Sequence, residues 1–505
     1  MNVLIRGIAV PAMVTLAAWS PVAAAGALSA ALGPQDGTGS GNVGGASSDT
    51  LRVTLARAEA LALEGNASLA ALRERAGAAE ARARGARAML LPTLGADAGF
   101  VRSDDPVAAF GSRLRQGLFT ERDFAVDRLN DPGSVNDWAA GAGVSWAGAD
   151  AAVWAGRDAA AAAARAQALQ VERGRDQIVF RTRFLFWEAV GALGRLEAAR
   201  ASEVAAQATL DLIQRRRQEG LLTDADVLQA MAALAGARAG RVQAERAGAD
   251  SRSQLALTMG MEGLAVPVLD GDADARAAEA MRVGAHAAGP HGDDAPIAER
   301  ADLRASLQGV RAFEAGSRQA RAARLPRGEV FARLDTHAPR ALDGMEPSVT
   351  VGVLISMPLF TGGRIGAAQD EAEAMERAAR LEHEDRVRAA RAEVESARRG
   401  VVAAFGALDA SRAALNAAEE AHRLLSRRLE EGLATTAELL QVEARASGFR
   451  TGVADAEAAL QQAVAALELA VGGGAAGAAG GTGPAGGAAA PGARTPSPEP
   501  PSDDA

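Results

Sequence analysis

The side chains that most often carry chemistry are scarce in this chain. It has no Cys and no Lys, so thiol or disulfide chemistry and a P-loop lysine are excluded. Five His stand at 286, 291, 337, 383 and 422, with no ligand spacing between them. His383-Glu384 opens an H-E-x-x-H zinc motif, but Val387 stands where the second ligand belongs. Gly472, Gly474 and Gly477 match G-x-G-x-x-G, yet they lie in a low-complexity tail with no strand before them. All 54 basic residues are Arg, and the net charge is −9. No basic surplus exists to neutralise phosphates, which argues against nucleic acid as a partner. The reading is a protein that is not an enzyme, with no catalytic residues, no cofactor and no metal site.

What the chain does have is long, regular elements. At 349–356 an alternating stretch puts Val349, Val351, Val353 and Ile355 on one face and Thr350, Gly352 and Ser356 on the other, which predicts a strand. Pro358 and Gly362-Gly363 release it into a helix. Along that helix Val387, Val394, Val401, Leu408, Leu415, His422 and Leu429 recur every seven residues. Ala390, Ala397, Ala404, Ser411, Ala418 and Leu425 follow at the third position after each of the first six. This is an a/d seam with small residues at d, so a partner helix can approach closely. His422, at an a position, reads as a packed or pore-facing helix residue. Roughly 65 residues of helix span about 95 Å, longer than an ordinary globular domain requires.

The plan occurs twice. Glu219-Gly220-Leu221 and Glu431-Gly432-Leu433 lie 212 residues apart, as do Gly260 and Gly472, and Trp146 and Pro358. Chance does not keep two runs of about 120 residues in one register, so the chain is an internal duplication. The first half has a helix at 51–91, alternating strands at 94–100 and 137–147 joined by a long polar loop, a long helix at 151–217 with Val179, Phe186 and Leu193 at heptad spacing, and a shorter helix ending at Gly260. The second half has a helix at 300–324, a strand at 330–334, and then the stretch above.

Arg6, an apolar run to Trp19 and an A-x-A site predict a signal peptide over 1–25. The remaining expected divisions are a flexible lead at 26–50, a first repeat at 51–260, a connection at 261–299, a second repeat at 300–472 and a disordered low-complexity tail at 473–505. No stretch is long and apolar enough for a transmembrane helix, so entry into a membrane would have to be by strands. About ten residues of tilted strand cross a bilayer. Four strands cannot close a barrel, which starts at about eight, so several chains would pool theirs, and three chains give twelve.

The duplication, the PLFTGGR stretch at 358–364, the two E-G-L turns each followed by T-x-x-[DE]-[VL]-L, and Arg300-Ala301-Asp302-Leu303 together resemble the TolC family of outer-membrane channels. The loop at 110–138 resembles that family's first extracellular loop, and the likeness covers about 51–472. The resemblance implies a mainly α fold with a membrane β-barrel contribution: a homotrimer whose twelve strands form a barrel continuous with a periplasmic helical tunnel. It implies the exit duct of a tripartite efflux pump or type I secretion system, a passive conduit opened by a periplasmic adaptor (membrane fusion) protein that links it to an inner-membrane pump.

The adaptor would dock on the hairpin tips at 217–221 and 429–433, with Gly220, Leu221, Gly432 and Leu433 at their centres. Glu438, Gln441 and Asp226 match the positions of the family's pore constriction. A ring of Glu438 would favour cations, and crowding would lift its pKa. Leu429 and Ala434 stand where some members place a Tyr and an Arg as gate latches. Residues 146–150 lack the Pro and Gly pair of the second repeat, which predicts a looser turn there. The alternative from another class is a periplasmic coiled-coil structural or adaptor protein that never enters a membrane.

Overall fold

The structure, a computed structural model, describes residues 52–261, 268–269, 295–341 and 346–472. The expected signal peptide, flexible lead and tail, and most of the 261–299 connection, lie outside the described residues. In chain order the elements are β1 (Arg52–Val53), α1 (Leu55–Gly65), α2 (Ala67–Ala88), β2 (Thr93–Ser103), α3 (Pro106–Arg115), a 3-10 turn (Glu121–Phe124), α4 (Val126–Asn130), β3 (Val135–Ala149), α5 (Ala151–Gln218) and α6 (Asp224–Thr258). They continue with β4 (Val268–Leu269), α7 (Ala295–Ala298), α8 (Ala301–Ala322), β5 (Arg327–Ala338), β6 (Glu346–Ser356), α9 (Arg364–Glu430) and α10 (Thr436–Val471). Both halves run through short helix, strand, strand, long helix and shorter helix.

Three local expectations need correction. The single helix at 51–91 is a two-residue strand and two helices. Asn66 divides them: its backbone is extended, its Oδ1 accepts the Leu69 N–H at 3.1 Å to cap α2, and its Nδ2 reaches Thr258 O at 3.4 Å. Asparagine competes with the helix for backbone hydrogen bonds and so favours caps. The long polar loop contains α3, the 3-10 turn and α4. Pro106 opens α3 under an Asp105 cap, and Phe110, Phe119 and Phe124 meet edge to face at 4.7 and 5.0 Å. The turn after Trp146 is not loose. β3 bulges between Trp146 and Ala149, the Trp146 indole donates to Leu90 O at 2.8 Å, and Asp150 caps α5 at once.

Four strands form an antiparallel sheet in the order β2-β3-β5-β6. The register places Asp97 opposite Gly141 and Gly141 opposite Asp335. Alternation then sorts the side chains. Leu94, Phe100, Trp138, Val144, Trp146, Val330, Leu334 and the Val349, Val351, Val353, Ile355 run all lie exposed on one face. The other face carries Asp97, Asp137, Arg333, Asp335 and Thr350. The outer edges of β2 and β6 have no strand partner among the described residues. β1 and β4 pair separately, parallel.

The long helices α5 and α9 hold 68 and 67 residues; each spans about 100 Å. The heptad seam of α9 is the buried one: Val401 and Leu408 pack on Leu460, Val464 and Leu467 of α10, flanked by Ala397 and Ala404. Small d residues allow that approach. A second core joins Phe186 and Trp187 of α5 to Ala58 and Ala62 of α1 and Leu255 and Met259 at the end of α6. Among the described residues no helix is long and apolar enough to cross a membrane.

Candidate functional site

The ends of the two hairpins are built alike, and sequence explains why. At the end of α9 the Gly432 N–H bonds Leu429 O at 3.1 Å and the Leu433 N–H bonds Arg428 O at 2.7 Å. At the end of α5 the Gly220 N–H bonds Arg217 O and the Leu221 N–H bonds Arg216 O, both at 2.9 Å. These are Schellman motifs, which need a left-handed residue after the helix. Gly220 and Gly432 supply it at φ 77° and 76°.

Three residues on, Thr223 and Thr435 start the next helices with capping boxes. Asp226 Oδ2 accepts from Thr223 N at 2.9 Å, and Glu438 Oε2 accepts from Thr435 N at 2.9 Å. The threonine side chains cap in return. A threonine cap of this kind contributes about 1 kcal/mol. E-G-L-x-T-x-x-[DE] is therefore a complete helix-stop and helix-start instruction.

The tips sit side by side. Leu210 and Ile213 of α5, Ala230 and Leu234 of α6, Leu429 of α9 and Leu439 of α10 form one core. The Arg216 guanidinium donates to Glu430 O across the pair. Outside this core Leu221 is 63% exposed and Leu433 67% exposed. Glu438 and Gln441 are exposed on α10, and Asp226 is half-buried beside Thr436 of the other hairpin. The fold thus brings together all seven residues singled out from the sequence. Leu429 is buried in the shared core, so the position where a latch was sought holds a packing residue.

The carboxylates at the tips are held in their ionised form within one chain. The Thr435 backbone N–H and then its hydroxyl lower the Glu438 pKa, and the Thr223 hydroxyl and then its backbone N–H lower that of Asp226. For Glu438 this local effect is opposite to the upward shift expected from crowding in a ring.

Behind the tips lies a group that sequence reasoning missed. Glu443 on α10 is 7% exposed, and Thr209 of α5 donates to its Oε2 at 2.9 Å. Its Oε1 and the Nε2 of His422 on α9 are buried without a hydrogen-bond partner among the described residues. Burial raises the Glu443 pKa against the opposing pull of Thr209, His422 and Arg450. The signal was present: Glu443 falls four residues after Leu439 and three before Ala446 on the buried stripe of α10.

At its other end α10 is pinned by arginines. Arg300, 2% exposed, donates to Ala470 O and to Asp302 and Glu393, while Arg183 bridges Glu59 and Glu468.

Residues 60–261 and 295–473 match the family model described as outer membrane efflux protein. The chain belongs to the outer membrane efflux protein family. Among solved structures it is similar to a membrane protein from Pseudomonas aeruginosa, at 24% identity and TM-score 0.70, covering 84% of this chain and 91% of that one. It is similar to the outer membrane protein VceC from Vibrio cholerae at 21% identity and TM-score 0.70, covering 83% and 96%. The Neisseria gonorrhoeae MtrE outer membrane channel matches at 20% identity and TM-score 0.66, covering 83% and 89%. No curated protein sequence matches the chain.

Family membership gives the chain its place, the outer membrane, and the family is one of efflux ducts, not a class of enzymes. The resemblance to TolC-family channels and the mainly helical fold with a four-stranded sheet both hold.

Proposed function

We propose that this efflux-family chain assembles as a homotrimer and forms the exit duct of a tripartite efflux pump or type I secretion system. The observation that carries the reading is the sheet. Four antiparallel strands leave both outer edges open and expose one continuous apolar face, with Val349, Val351, Val353 and Ile355 between 68% and 72% exposed. Unpaired strand edges are not viable in lipid, and a closed barrel needs about eight strands or more. Three copies closing edge to edge supply twelve. The long helix pairs then continue the barrel as a tunnel into the periplasm.

The exposed Leu221 and Leu433 beside the rigid turns at Gly220 and Gly432 form the surface on which a periplasmic adaptor docks, and through which an inner-membrane pump is reached. Glu438, Asp226 and Gln441 line the constriction. Three Glu438 carboxylates around the axis favour cations there. The rival reading, a periplasmic coiled coil that never enters a membrane, leaves that apolar sheet face in water. Native mass spectrometry of the mature chain in detergent tests the proposal. A trimer is expected, and a monodisperse monomer overturns it.

A further inference from the structure

The polar face of the sheet holds an arrangement that the duct reading does not by itself explain. One row across three strands reads Asp97 on β2, Gly141 on β3 and Asp335 on β5. Two carboxylates therefore flank a residue with no side chain. Arg333, two residues before Asp335, fills the gap. Its stem passes over Gly143, with Cγ 3.7 Å from where a Cβ would stand, and its guanidinium lies over Gly141. A Cβ at Gly141 would meet Arg333 Nη2 and Asp335 Oδ1, each at 2.6 Å.

The hydrogen bonds complete the cradle. Arg333 Nε donates to Asp335 Oδ1 at 2.6 Å, and Nη2 donates to both oxygens of Asp97 at 2.8 and 2.9 Å. Arginine suits this task because its planar fork can engage two carboxylates at fixed angles, where lysine offers a single point charge.

We propose that Arg333 is a charge mask of the barrel lumen that sets how strongly the duct prefers cations. The inference rests on the trimeric-barrel reading, in which this polar face lines the lumen. Each chain brings two carboxylates to the row and one guanidinium to cover them. Threefold repetition makes a band of six acids and six minus three, or three, uncompensated negative charges. Without Arg333 the full band faces the passing solute, and charged rings in a pore select by sign. With it, the band is half neutralised, and the masked acids hold a guanidinium rather than a mobile cation. Solutes that carry positive charge are then less retained in the barrel than the acid count alone dictates.

The test is single-channel recording across a salt gradient, in a Glu438→Gln background that removes the acid at the helix tip. Glu438→Gln alone first reports what the tip contributes. On that background Arg333→Gln is expected to raise the cation-to-anion permeability ratio about twofold or more and to increase block by divalent cations. Asp97→Asn is expected to lower the ratio, and the Arg333→Gln/Asp97→Asn pair to return toward the parent. Asp97 is solvent-exposed, so if Arg333→Gln fails to insert, Asp97→Asn carries the test alone. Unchanged reversal potentials in channels of normal conductance would place the row outside the ion path and overturn the proposal. A parent that forms no channels at all would instead count against the trimeric barrel.

Discussion

At the scale of single residues, the buried carboxyl of Glu443 is a group whose charge state the fold controls. Three helices meet at it. α5 contributes Thr209 as donor, α9 contributes His422, and Arg450 of α10 acts from a distance while bonded to Glu419 of α9 at 3.0 Å. Burial is the largest influence and raises the carboxyl's pKa. A raised folded pKa means that the native state holds the proton more tightly than the unfolded chain. The resulting stability is present below the unfolded value and is lost as pH rises through the folded one. Glu443→Gln keeps an acceptor for Thr209 and carries no charge at any pH. Its thermal midpoint in detergent is expected to match the parent in acid and to exceed it near neutrality. A gap between variant and parent that stays constant with pH would show that burial does not control this group.

At the scale of elements, the tips are specified by a glycine stop and a threonine start in each hairpin, and their glycines cannot be replaced cheaply. A β-branched residue at φ 76° meets a steric cost of about 1–2 kcal/mol, and the turn relieves it by leaving the Schellman geometry. Leu433 then moves with it. Gly432→Val, and Gly220→Val to a lesser degree, are expected to abolish export while the proposed trimer still assembles, read by native mass spectrometry. Export at the parental rate by both variants would remove these turns from the docking surface. These turns were legible because one repeated string encodes both a helix stop and a helix start. The strands and the α9 seam were legible because a period of two or seven survives over many residues. The break at Asn66 was not, since one asparagine in an otherwise helical pattern can equally stay inside the helix; here it turns to cap α2 at Leu69 and also reaches Thr258, 192 residues away. Likewise α3 and α4, of 10 and 5 residues, are too short for periodicity to stand out from a polar loop. The Arg333 cradle was hidden for a related reason: Asp97, Gly141 and Arg333 meet only once the strand register is known.

At the scale of the whole molecule, the open sheet is the feature that the proposed trimer has to complete. Leu94 at 83% exposure and Val349 and Ile355 at 72% are as open as side chains on a loop, yet they sit on a paired sheet. Water is a poor solvent for a continuous apolar face of this kind, at about 25 cal/mol for each Å² exposed. Lipid removes that penalty, and edge-to-edge pairing removes the one due to unpaired strand backbone. The chain has no Cys, so any single introduced thiol is a unique reporter of its surroundings. An environment-sensitive fluorophore placed in turn at residues 348 to 353 of β6, leaving out Gly352 because the Phe331 ring covers it, reads the two faces directly. With the oligomer reconstituted in vesicles, a quencher carried on the lipid tails is expected to act on probes at Val349, Val351 and Val353 and to spare those at Ser348 and Thr350. A water-soluble quencher should show the reverse pattern. Equal quenching at neighbouring positions would mean that the strand is not set in a barrel wall. Aqueous quenching at every position would return the chain to the reading in which it never enters a membrane.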